Sequence, residues 1–513
     1  MSSLTREFDA IVFGATGFTG AMVVEDIARS NKDKLSWAVA GRNKAKLQGE
    51  KKHTHASSYA WMSLIQPLAA LLNCWKSGLR KKRKRTDNFL LIRTSLKAVI
   101  HCLRSGRLYV CVCVCADHSG WLAGCCFWGG GATEVLNNVA STLNDQSIKN
   151  IPLVIADVAD EASLKAMAQR ARVILDCVGP YRFYGEQVVK ACIDAGTDFL
   201  DVSGEPQYLE TIALKYHKQA EEKGVIVVNT CGFDSIPADL GTAFAVQQFG
   251  TPELVSNIES YLSIHSGPEG MGGHYATYES AVHGFGARGE LDQLRRQAGA
   301  SARLPIVAPP IKRRAGAFFH KESDRWCMPF MGADASVVRR TQRVNYEARG
   351  VSPIQYGAYF TISSFWTLIL FFFFGSIFQL FARYPFGRKI LLKHPKLFTF
   401  GLFSHEGPTR RQLNTTSFSM TFYALGYSSK DAVETKRPDK KIVTRVAGPE
   451  PGYIATPIFL VQSALVLLQE RKTIPYKGGV LTPAAAFAQT SLIERLQQHG
   501  VNFSVIKVEA LKK

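Results

Sequence analysis

A chain of 513 residues has room for two or three domains, and 46% hydrophobic with 20% charged residues excludes a disordered or fibrous protein. The formal net charge of +20 would suit an anionic partner, but residues 49–133 carry half of it, with 13 Lys and Arg against 3 Asp and Glu, a net +10. The first ten residues, MSSLTREFDA, contain neither a basic nor an apolar signal region, so we predict no signal peptide. The four cysteines outside residues 49–133 are few and indicate a reducing compartment.

The N-terminal residues predict a strand, a tight turn and a helix. The apolar run FDAIVFG at 8–14 precedes the helical pattern AMVVEDIARS at 21–30. Gly14 permits the tight turn, Gly17 lets the backbone approach a pyrophosphate, and Gly20 allows the helix to pack on the strand. The free N–H groups at the start of the helix attract phosphates. In this context a chance glycine turn is the weaker alternative, and we predict a dinucleotide-binding turn made of Gly14, Ala15, Thr16, Gly17, Phe18, Thr19 and Gly20.

The end of the second predicted strand distinguishes NADP from NAD. This strand, at 37–40, is followed by Gly41 and Arg42. NAD-binding proteins usually place Asp or Glu there to bind the ribose 2′-hydroxyl. An arginine in place of that acid suits the 2′-phosphate of NADP, so we predict NADP, with NAD as the alternative. Arg42 as a solvated loop residue would leave the preference undecided.

Residues 49–133 interrupt the alternation of strands and helices. They contain a basic run at 80–85 and the alternation VCVCVC at 110–115, which a GTGTGT nucleotide repeat would encode. We interpret this stretch as an insertion of translated non-coding sequence, as from a retained intron, that does not belong to the folded protein. Two alternatives remain, a nuclear-localisation or nucleic-acid patch in the basic run and a metal site in the seven cysteines.

Beyond the insertion the strand–helix alternation resumes. Apolar runs at 151–156, 172–178, 198–202 and 225–230 predict strands, with helices at 161–170 and 186–196. Such alternation predicts an α/β fold, a doubly wound parallel sheet of the Rossmann type with helices on both faces. Ligands bind at the carboxyl edge of such a sheet, and Gly179-Pro180 follows a predicted strand end there.

Residues 350–382 contain no charged side chain and include FTISSFWTLILFFFFGSIFQLFA. About 24 helical residues span ~36 Å, more than the ~30 Å hydrocarbon core of a bilayer. Four consecutive phenylalanines, 371–374, would face every side of a helix, which a soluble protein seldom buries. We predict membrane contact, with a buried core helix as the alternative. Because basic residues flank both ends alike, we expect the segment to embed from one side, as an interfacial or hairpin anchor, rather than to cross once.

Several long motifs occur in order: GATGFTG, AGRNKAKL, DCVGPYRFYGEQVVKAC, DVSGEPQYLE, GFDSIPADLG, SIHSGPEG and GYIATPIFLVQSAL. Together they resemble the saccharopine dehydrogenase-like oxidoreductases over residues 1–48 and roughly 134–510. The resemblance implies a Rossmann domain interrupted by a second α/β (α+β) domain, with residues 452–468 packing back on the Rossmann side. It places Asp157 near the adenine and, under the nicotinamide and its ribose, Cys177, Val178, Gly179 and Pro180. It also marks 49–133 as an interruption of one helix.

The expected domains follow from the motifs and the resemblance. They are 1–48, the first part of the Rossmann domain; 49–133, the insertion; 134–240, the Rossmann domain continued; 241–349, a second domain for substrate binding or dimerisation; 350–382, the apolar segment; 383–450, the second domain continued; and 451–513, a C-terminal return to the Rossmann side. A homodimer is compatible with this arrangement.

The candidates for substrate orientation or proton transfer lie in loops at predicted strand ends: Tyr181, Tyr184, Glu205, Asp234 and Ser235. Each of them, like His265 and His283, has a structural role as its alternative. Glu205 is either a base or a helix cap, and Asp234 has the position of a helix N-cap before Pro237. Neither tyrosine is followed by a lysine four residues on, which argues against a short-chain-type epimerase or quinone reductase. We predict no metal site among these candidates.

The predicted function is hydride transfer between NADP and a lipid-like or membrane-associated small molecule, at the cytosolic face of a membrane or lipid droplet and without nucleic acid. The apolar segment favours such a substrate over the polar amino acid of true saccharopine dehydrogenases, and the family also resembles bacterial enoyl reductases acting on long-chain lipid precursors. The alternatives are a non-catalytic NADP-binding scaffold or redox sensor, and a saccharopine-type amino-acid dehydrogenase.

Overall fold

The computed structural model describes residues 6–30, 35–42, 131–297, 304–305, 309, 311 and 314–511. The predicted insertion, with its basic run and seven cysteines, lies outside the described residues up to position 130. Its predicted end at 133 is wrong, because the helix Ala132–Leu143 begins inside that range and Ala132 is fully buried in the core. The described strands are β1 (Phe8–Phe13), β2 (Trp37–Gly41), β3 (Leu153–Ile155), β4 (Ala171–Asp176), β5 (Asp198–Asp201), β6 (Ile226–Val228), β7 (Val255–His265), β8 (Gly273–His274), β9 (Phe318–His320), β10 (Arg325–Pro329), β11 (Gln355–Ile362), β12 (Phe403–Ser404), β13 (Ser417–Gly426), β14 (Lys440–Pro449), β15 (Gly479–Leu481) and β16 (Asn502–Ala510).

The described α-helices, numbered in the same way, are α1 (Phe18–Ser30), α2 (Ala132–Leu143), α3 (Glu161–Arg170), α4 (Tyr181–Ala195), α5 (Pro206–Lys223), α6 (Ile236–Gln247), α7 (Tyr275–Gly286), α8 (Arg288–Gln297), α9 (Asp334–Arg349), α10 (Phe365–Arg383), α11 (Pro385–Lys393), α12 (Pro395–Phe398), α13 (Arg410–Thr415), α14 (Lys430–Glu434), α15 (Thr456–Gln469), α16 (Pro483–Phe487) and α17 (Leu492–Gln498).

The first sheet is parallel throughout its described length, in the order β3-β2-β1-β4-β5-β6-β15. Its first six strands have the order of a Rossmann sheet, which confirms the predicted fold class. Helices cover both faces, so neighbouring residues such as Ile11 and Val12 are both buried, in opposite core clusters. This two-sided burial is why the strands are visible in the sequence as continuous apolar runs.

The second sheet is mixed, in the order β16-β14-β13-β7-β11-β10-β9. Only β7 and β11 run parallel to each other, and the other neighbours are antiparallel. Buried and half-buried residues alternate along β13, because one face of the sheet packs against helices. A Cβ on Gly241 of α6 would lie 2.3 Å from the ring of Phe422, so this helix rests directly on β13.

The apolar range 350–382 divides into two elements. Residues Gln355–Ile362 form β11 inside the second sheet, and the helix α10 begins only at Phe365. The reason is a change of period, since Gln355 to Ala358, the first half of the strand, alternate between half-buried and buried positions as a strand does. Leu368 and Ala382 are the buried residues of α10, and most of its other side chains are exposed apolar groups.

The C-terminal residues return to the first sheet and then leave it again. Helix α15 is buried against α1, where the Gln462 amide donates to the Ser30 hydroxyl, and β15 extends the first sheet beside β6. β16, however, pairs with β14 at the edge of the second sheet, so the expected return segment 451–513 does not stay on the Rossmann side. Its alternating sequence specifies a strand but not which of the two sheets receives it.

Candidate cofactor and substrate site

The glycine-rich turn has the geometry that the sequence predicts. Gly14 has a φ of +87°, which L side chains rarely adopt. A Cβ on Gly20 would lie 2.1 Å from the Gly14 carbonyl oxygen, so the start of α1 can pack this closely only with glycine. A Cβ on Gly17 would meet only the Gly14 carbonyl oxygen, at 3.3 Å, and would otherwise project into open space. That open space in front of a helix N-terminus fits a pyrophosphate.

The other turn residues face different surroundings. Ala15 is fully buried, whereas Thr19 lines the large cavity described below. The Phe18 ring stacks on His274 with 5.0 Å between ring centroids and meets the edge of Tyr453 at 4.8 Å. Phe18 therefore packs against His274 and Tyr453, and its part in cofactor binding stays a prediction.

The two residues expected at the adenosine end of the cofactor follow β2 and β3. Arg42 directly follows β2 and its side chain is exposed. Asp157 follows β3, and its carboxylate accepts a hydrogen bond from the Ala159 amide at 3.0 Å. The Ala156 amide bonds to the Gly41 carbonyl oxygen at 3.1 Å, which holds the two strand ends side by side. Arg42 and Asp157 are therefore neighbours at the carboxyl edge of the sheet, where the resemblance expects them.

Residues 177–180 connect β4 to α4 beside the glycine-rich turn. A Cβ on Gly14 would lie 2.8 Å from the Val178 side chain, so the two loops are in contact. Cys177 and Gly179 line the cavity, and the Gly179–Pro180 peptide is cis. Burial raises the pKa of the Cys177 thiol well above its ordinary value, which favours its neutral form.

A cavity of about 840 Å³ lies between the carboxyl edge of the first sheet and the helix-covered face of the second. Its size lies within the range of small-molecule sites. The wall is largely apolar, and its apolar and aromatic side chains include Val202, Phe233, Leu262, Ile264, Met271, Phe285, Leu291, Phe330, Phe360, Leu402 and Phe403. Its polar side chains include Thr19, Arg182, Asp234, Thr277, Ser280 and Glu450.

The two tyrosine candidates are not placed for proton transfer. Tyr181 lines the cavity, but its hydroxyl donates to the Asp176 backbone carbonyl at 2.8 Å, and burial raises its pKa well above the ordinary value. Tyr184 is 39% exposed on α4 and packs against Phe183, outside the cavity lining.

Glu205 is a helix cap, although not of the helix that it precedes. Its carboxylate accepts from the Tyr181 amide at 2.9 Å and from the Arg182 Nε at 3.2 Å, and so caps α4 instead of α5. The ion pair with Arg182 is buried on both sides. Both carboxylate oxygens are thus occupied, which argues against Glu205 as the base.

Asp234 is the candidate whose carboxylate faces the cavity without a hydrogen-bond donor among the described residues. A Cβ on Gly204 would lie 2.2 Å from its Oδ2, so glycine is what allows the carboxylate to lie there. The Asp234 side chain lines the cavity, and desolvation there raises the pKa of the carboxyl to about 6. Burial, together with repulsion from Asp234, raises the pKa of Asp334 well above its ordinary value.

The remaining candidates have structural contacts. Ser235 is buried and its hydroxyl donates to the Asp234 backbone carbonyl at 2.7 Å, while His265 is bonded to Ser419. His283 lies on α7, and its carbonyl oxygen accepts from Arg182. Within the described ranges, no group of three or more His, Cys, Asp or Glu side chains is arranged to hold a metal ion.

Three contributors to the cavity were missed by sequence reasoning. Arg182 belongs to a quoted motif but received no role, and Glu450 and Tyr453 precede or begin the GYIATP motif. Glu450 accepts from the amides of Gly452, Tyr453 and Ile454, which fixes the π-helical turn at Pro451–Ala455. The available signal in the sequence was the Glu-Pro-Gly turn before a buried helix. Because this turn is far from α1 along the chain, the sequence did not indicate that Tyr453 contacts Phe18.

Known proteins match this chain along its length. A family model described as the saccharopine dehydrogenase NADP binding domain matches residues 131–228. A human protein named saccharopine dehydrogenase-like oxidoreductase is 40% identical over 512 residues, covering 99% of each chain. A Caenorhabditis elegans protein named lipid droplet localized protein is 30% identical over 505 residues, covering 97% of this chain and 98% of its own.

Among solved structures, the apo saccharopine dehydrogenase (L-Glu forming) of Saccharomyces cerevisiae aligns over 98% of this chain and 100% of its own with a TM-score of 0.43 and 11% identity. A likeness at this level carries no argument about activity. The human relative and the NADP-binding model, in contrast, confirm the resemblance drawn from the motifs. The chain therefore belongs to the saccharopine dehydrogenase-like oxidoreductase family and carries its NADP-binding domain.

Proposed function

We propose that the protein transfers hydride between NADP and an apolar, lipid-like substrate while docked on the cytosolic face of a membrane or lipid droplet. The observation that carries this proposal is that the cavity wall is continuous with the packing beneath the exposed helix α10. Phe285 and Phe403 line the cavity and also belong to the apolar cluster that holds α10.

Two pairs of aromatic rings connect the cavity wall to α10. The rings of Phe285 and Phe378 lie 5.5 Å apart between centroids, and those of Phe360 and Phe371 lie 5.4 Å apart. In each pair the first residue lines the cavity and the second belongs to α10. An apolar molecule that moves from a lipid phase to the cavity would therefore contact apolar side chains. Such contacts favour an apolar substrate over a polar amino acid.

The surface around α10 has the character of a docking surface for lipid. Its exposed apolar residues continue beyond the helix, and this apolar patch comprises Phe365, Trp366, Ile369, Leu370, Phe371, Phe372, Phe373, Phe374, Leu380, Phe386, Leu397 and Phe400. Exposed patches of this kind mark interaction sites. Two described helices, α10 and the helical segment Pro451–Gln469, are long and apolar enough to cross a membrane. Pro451–Gln469, however, is mostly buried in the protein core.

The strand order supports docking from one side. β11 precedes α10, β13 follows it, and both pair with β7 in one sheet. A single membrane crossing by α10 would place these two neighbours of β7 on opposite sides of the membrane. We therefore infer an interfacial helix, with the described remainder of the protein on one side.

The residues of the site divide the chemistry between them. NADP, when bound, supplies or accepts the hydride. Arg42 recognises the 2′-phosphate and gives the preference over NAD, and the open space at Gly17 admits the pyrophosphate. Asp234 holds the proton that leaves a substrate hydroxyl or amine when the adjacent C–H hydride is lost, and returns it in the reverse reaction. Its pKa of about 6 suits such exchange.

Comparing substrate classes tests the proposal. Oxidation of NADPH is followed with long-chain carbonyl compounds and enoyl esters in vesicles, and reduction of NADP+ is followed in parallel with saccharopine. We expect turnover of the lipid class alone and none in Gly17→Val, which blocks the pyrophosphate. Turnover of saccharopine would favour the alternative function of an amino-acid dehydrogenase. Tight NADPH binding without turnover of any compound would favour the non-catalytic scaffold.

A further inference from the structure

The charges around the cavity do not balance. Among the described lining residues there is one cationic side chain, Arg182, against the carboxylates of Glu205, Asp234 and Glu450. A site for a carboxylate or phosphate group normally supplies a free guanidinium, ammonium or a set of backbone amides. The distribution of hydrogen bonds decides which of these charges is available to a ligand.

Arg182 is not available. Its Nε bonds to the Glu205 carboxylate at 3.2 Å, its Nη1 to the His283 carbonyl oxygen at 2.9 Å, and its Nη2 to the Gln207 side-chain oxygen. A guanidinium whose three nitrogens are all engaged inside the protein cannot turn to a substrate anion without leaving Glu205 buried and unpaired.

Two of the three carboxylates are occupied as well. Glu205 caps α4, and Glu450 accepts three backbone amides, of which that of Tyr453 is the closest, at 2.6 Å. Asp234 is therefore the charged group of the described lining that remains for a ligand, and it is a hydrogen-bond acceptor.

We propose that the cavity selects an apolar molecule whose single polar head is a hydrogen-bond donor, a hydroxyl or an amine, bound by Asp234, and that it excludes amphiphiles with an anionic head. This inference rests on the proposed function because it takes the cavity as the substrate site. It narrows the substrate to lipid-like alcohols and amines, or the carbonyl and imine forms related to them by hydride transfer. Fatty acids, phosphorylated lipids and amino dicarboxylates do not fit.

Equilibrium binding without turnover tests the selection separately from catalysis. The full chain, saturated with NADP, is titrated by calorimetry at pH 8 with octanol, octylamine and octane sulfonate, which share one apolar chain. We expect the alcohol and the amine to bind at least about 10-fold more tightly than the sulfonate, because the sulfonate opposes an ionised Asp234 without a counter-charge. The order of alcohol and amine identifies the preferred head.

Variants test whether Asp234 causes the weaker binding of the sulfonate. In Asp234→Asn the disadvantage of the sulfonate should shrink to about 3-fold or less, since the opposing charge is gone. Asp194→Asn removes an exposed carboxylate outside the cavity and should leave all three affinities unchanged. Sulfonate binding as tight as that of octanol in the wild type, or discrimination that survives in Asp234→Asn, would overturn the proposal. A failure of hydride transfer would leave these affinities unaffected.

Discussion

The Arg182 guanidinium donates to the backbone carbonyl oxygen of His283 across 2.9 Å and so ties the first turn of α4 to the last turn of α7. The first helix starts at the carboxyl edge of the first sheet, and the second lies between the cavity and α10. One buried side chain thus connects the carboxyl edge of the first sheet to α7, the helix against which α10 packs.

Replacing this side chain should destabilise the protein strongly. Arg182→Met leaves the Glu205 carboxylate buried without its partner, which costs about 3–5 kcal/mol of the free energy of unfolding. Urea unfolding followed by circular dichroism measures it. Lys215→Met, which removes an exposed partner of Glu186, serves as the control and should cost less than about 1 kcal/mol. Equal losses in the two variants would contradict the importance of the buried pair.

The cofactor preference should depend on Arg42. Arg42→Ala loses a charge-assisted contact to the 2′-phosphate worth about 1.5–3 kcal/mol, so NADPH should bind roughly 10- to 150-fold more weakly. NADH, which lacks that phosphate, should bind as before. Fluorescence titration with both nucleotides checks this. Gly17→Val should weaken the binding of both nucleotides alike. An unchanged preference for NADPH in Arg42→Ala would contradict the assignment of the 2′-phosphate contact to Arg42.

Binding of an anionic probe should depend on pH through Asp234. Its pKa of about 6 means that the carboxylate is ionised at pH 8 and largely protonated at pH 5. Octane sulfonate, which stays anionic throughout, should therefore bind more tightly as the pH falls through 6. Calorimetry at the two pH values measures the change. Asp234→Asn should bind the probe equally at both, and an equal pH dependence in that variant would assign the titration to another group.

The apolar patch should attach the protein to lipid. Leu370→Glu combined with Phe373→Glu places two charges at positions that are 55% and 60% exposed, so vesicle flotation should be lost while the melting temperature is retained. Val508→Glu, at a 59% exposed position on β16, is the matched control and should still float. Tags at both termini should remain open to protease on intact vesicles, and protection of one tag would indicate a crossing.

Removing the predicted insertion should preserve the fold. Deleting residues 49–130 joins Gln48 to Gly131 and keeps Ala132, which is fully buried at the start of α2. We expect unchanged NADPH affinity and less aggregation, because long surface insertions contribute little to stability but add exposed apolar sequence. Unfolding of the deletion variant, or stoichiometric metal bound by the seven cysteines of the full chain, would refute the interpretation.

The first sheet could be predicted because its signals are local. Its strands are buried on both faces and its turn needs glycine at Gly14 and Gly20, so each feature is visible in a few neighbouring residues. The strand β11 was not predicted because it lies within the uncharged range 350–382, where the absence of charge obscured the change from strand to helix periodicity. The position of β16 depends on a pairing with β14 that no local pattern specifies.

The site was harder to predict because its roles depend on distant partners. The sequence offers Glu205 equally as a base or a cap, and only the neighbouring amides of α4 decide for the cap. Arg182 becomes structural because α7, about 100 residues away, supplies a carbonyl oxygen. Asp234, in contrast, is left for a ligand because no described donor reaches it, and this absence is invisible in the sequence.

The topology of the second sheet also sets the order of events during synthesis. β7 ends at His265, but its neighbour β13 begins only at Ser417, so the sheet cannot close until about 150 more residues have left the ribosome. The helix α10 emerges within that interval. Pairing over such a distance is slow, and the nascent chain displays its most apolar surface before the fold that carries it is complete. A lipid surface or a chaperone present at that moment would protect the unfinished chain from aggregation.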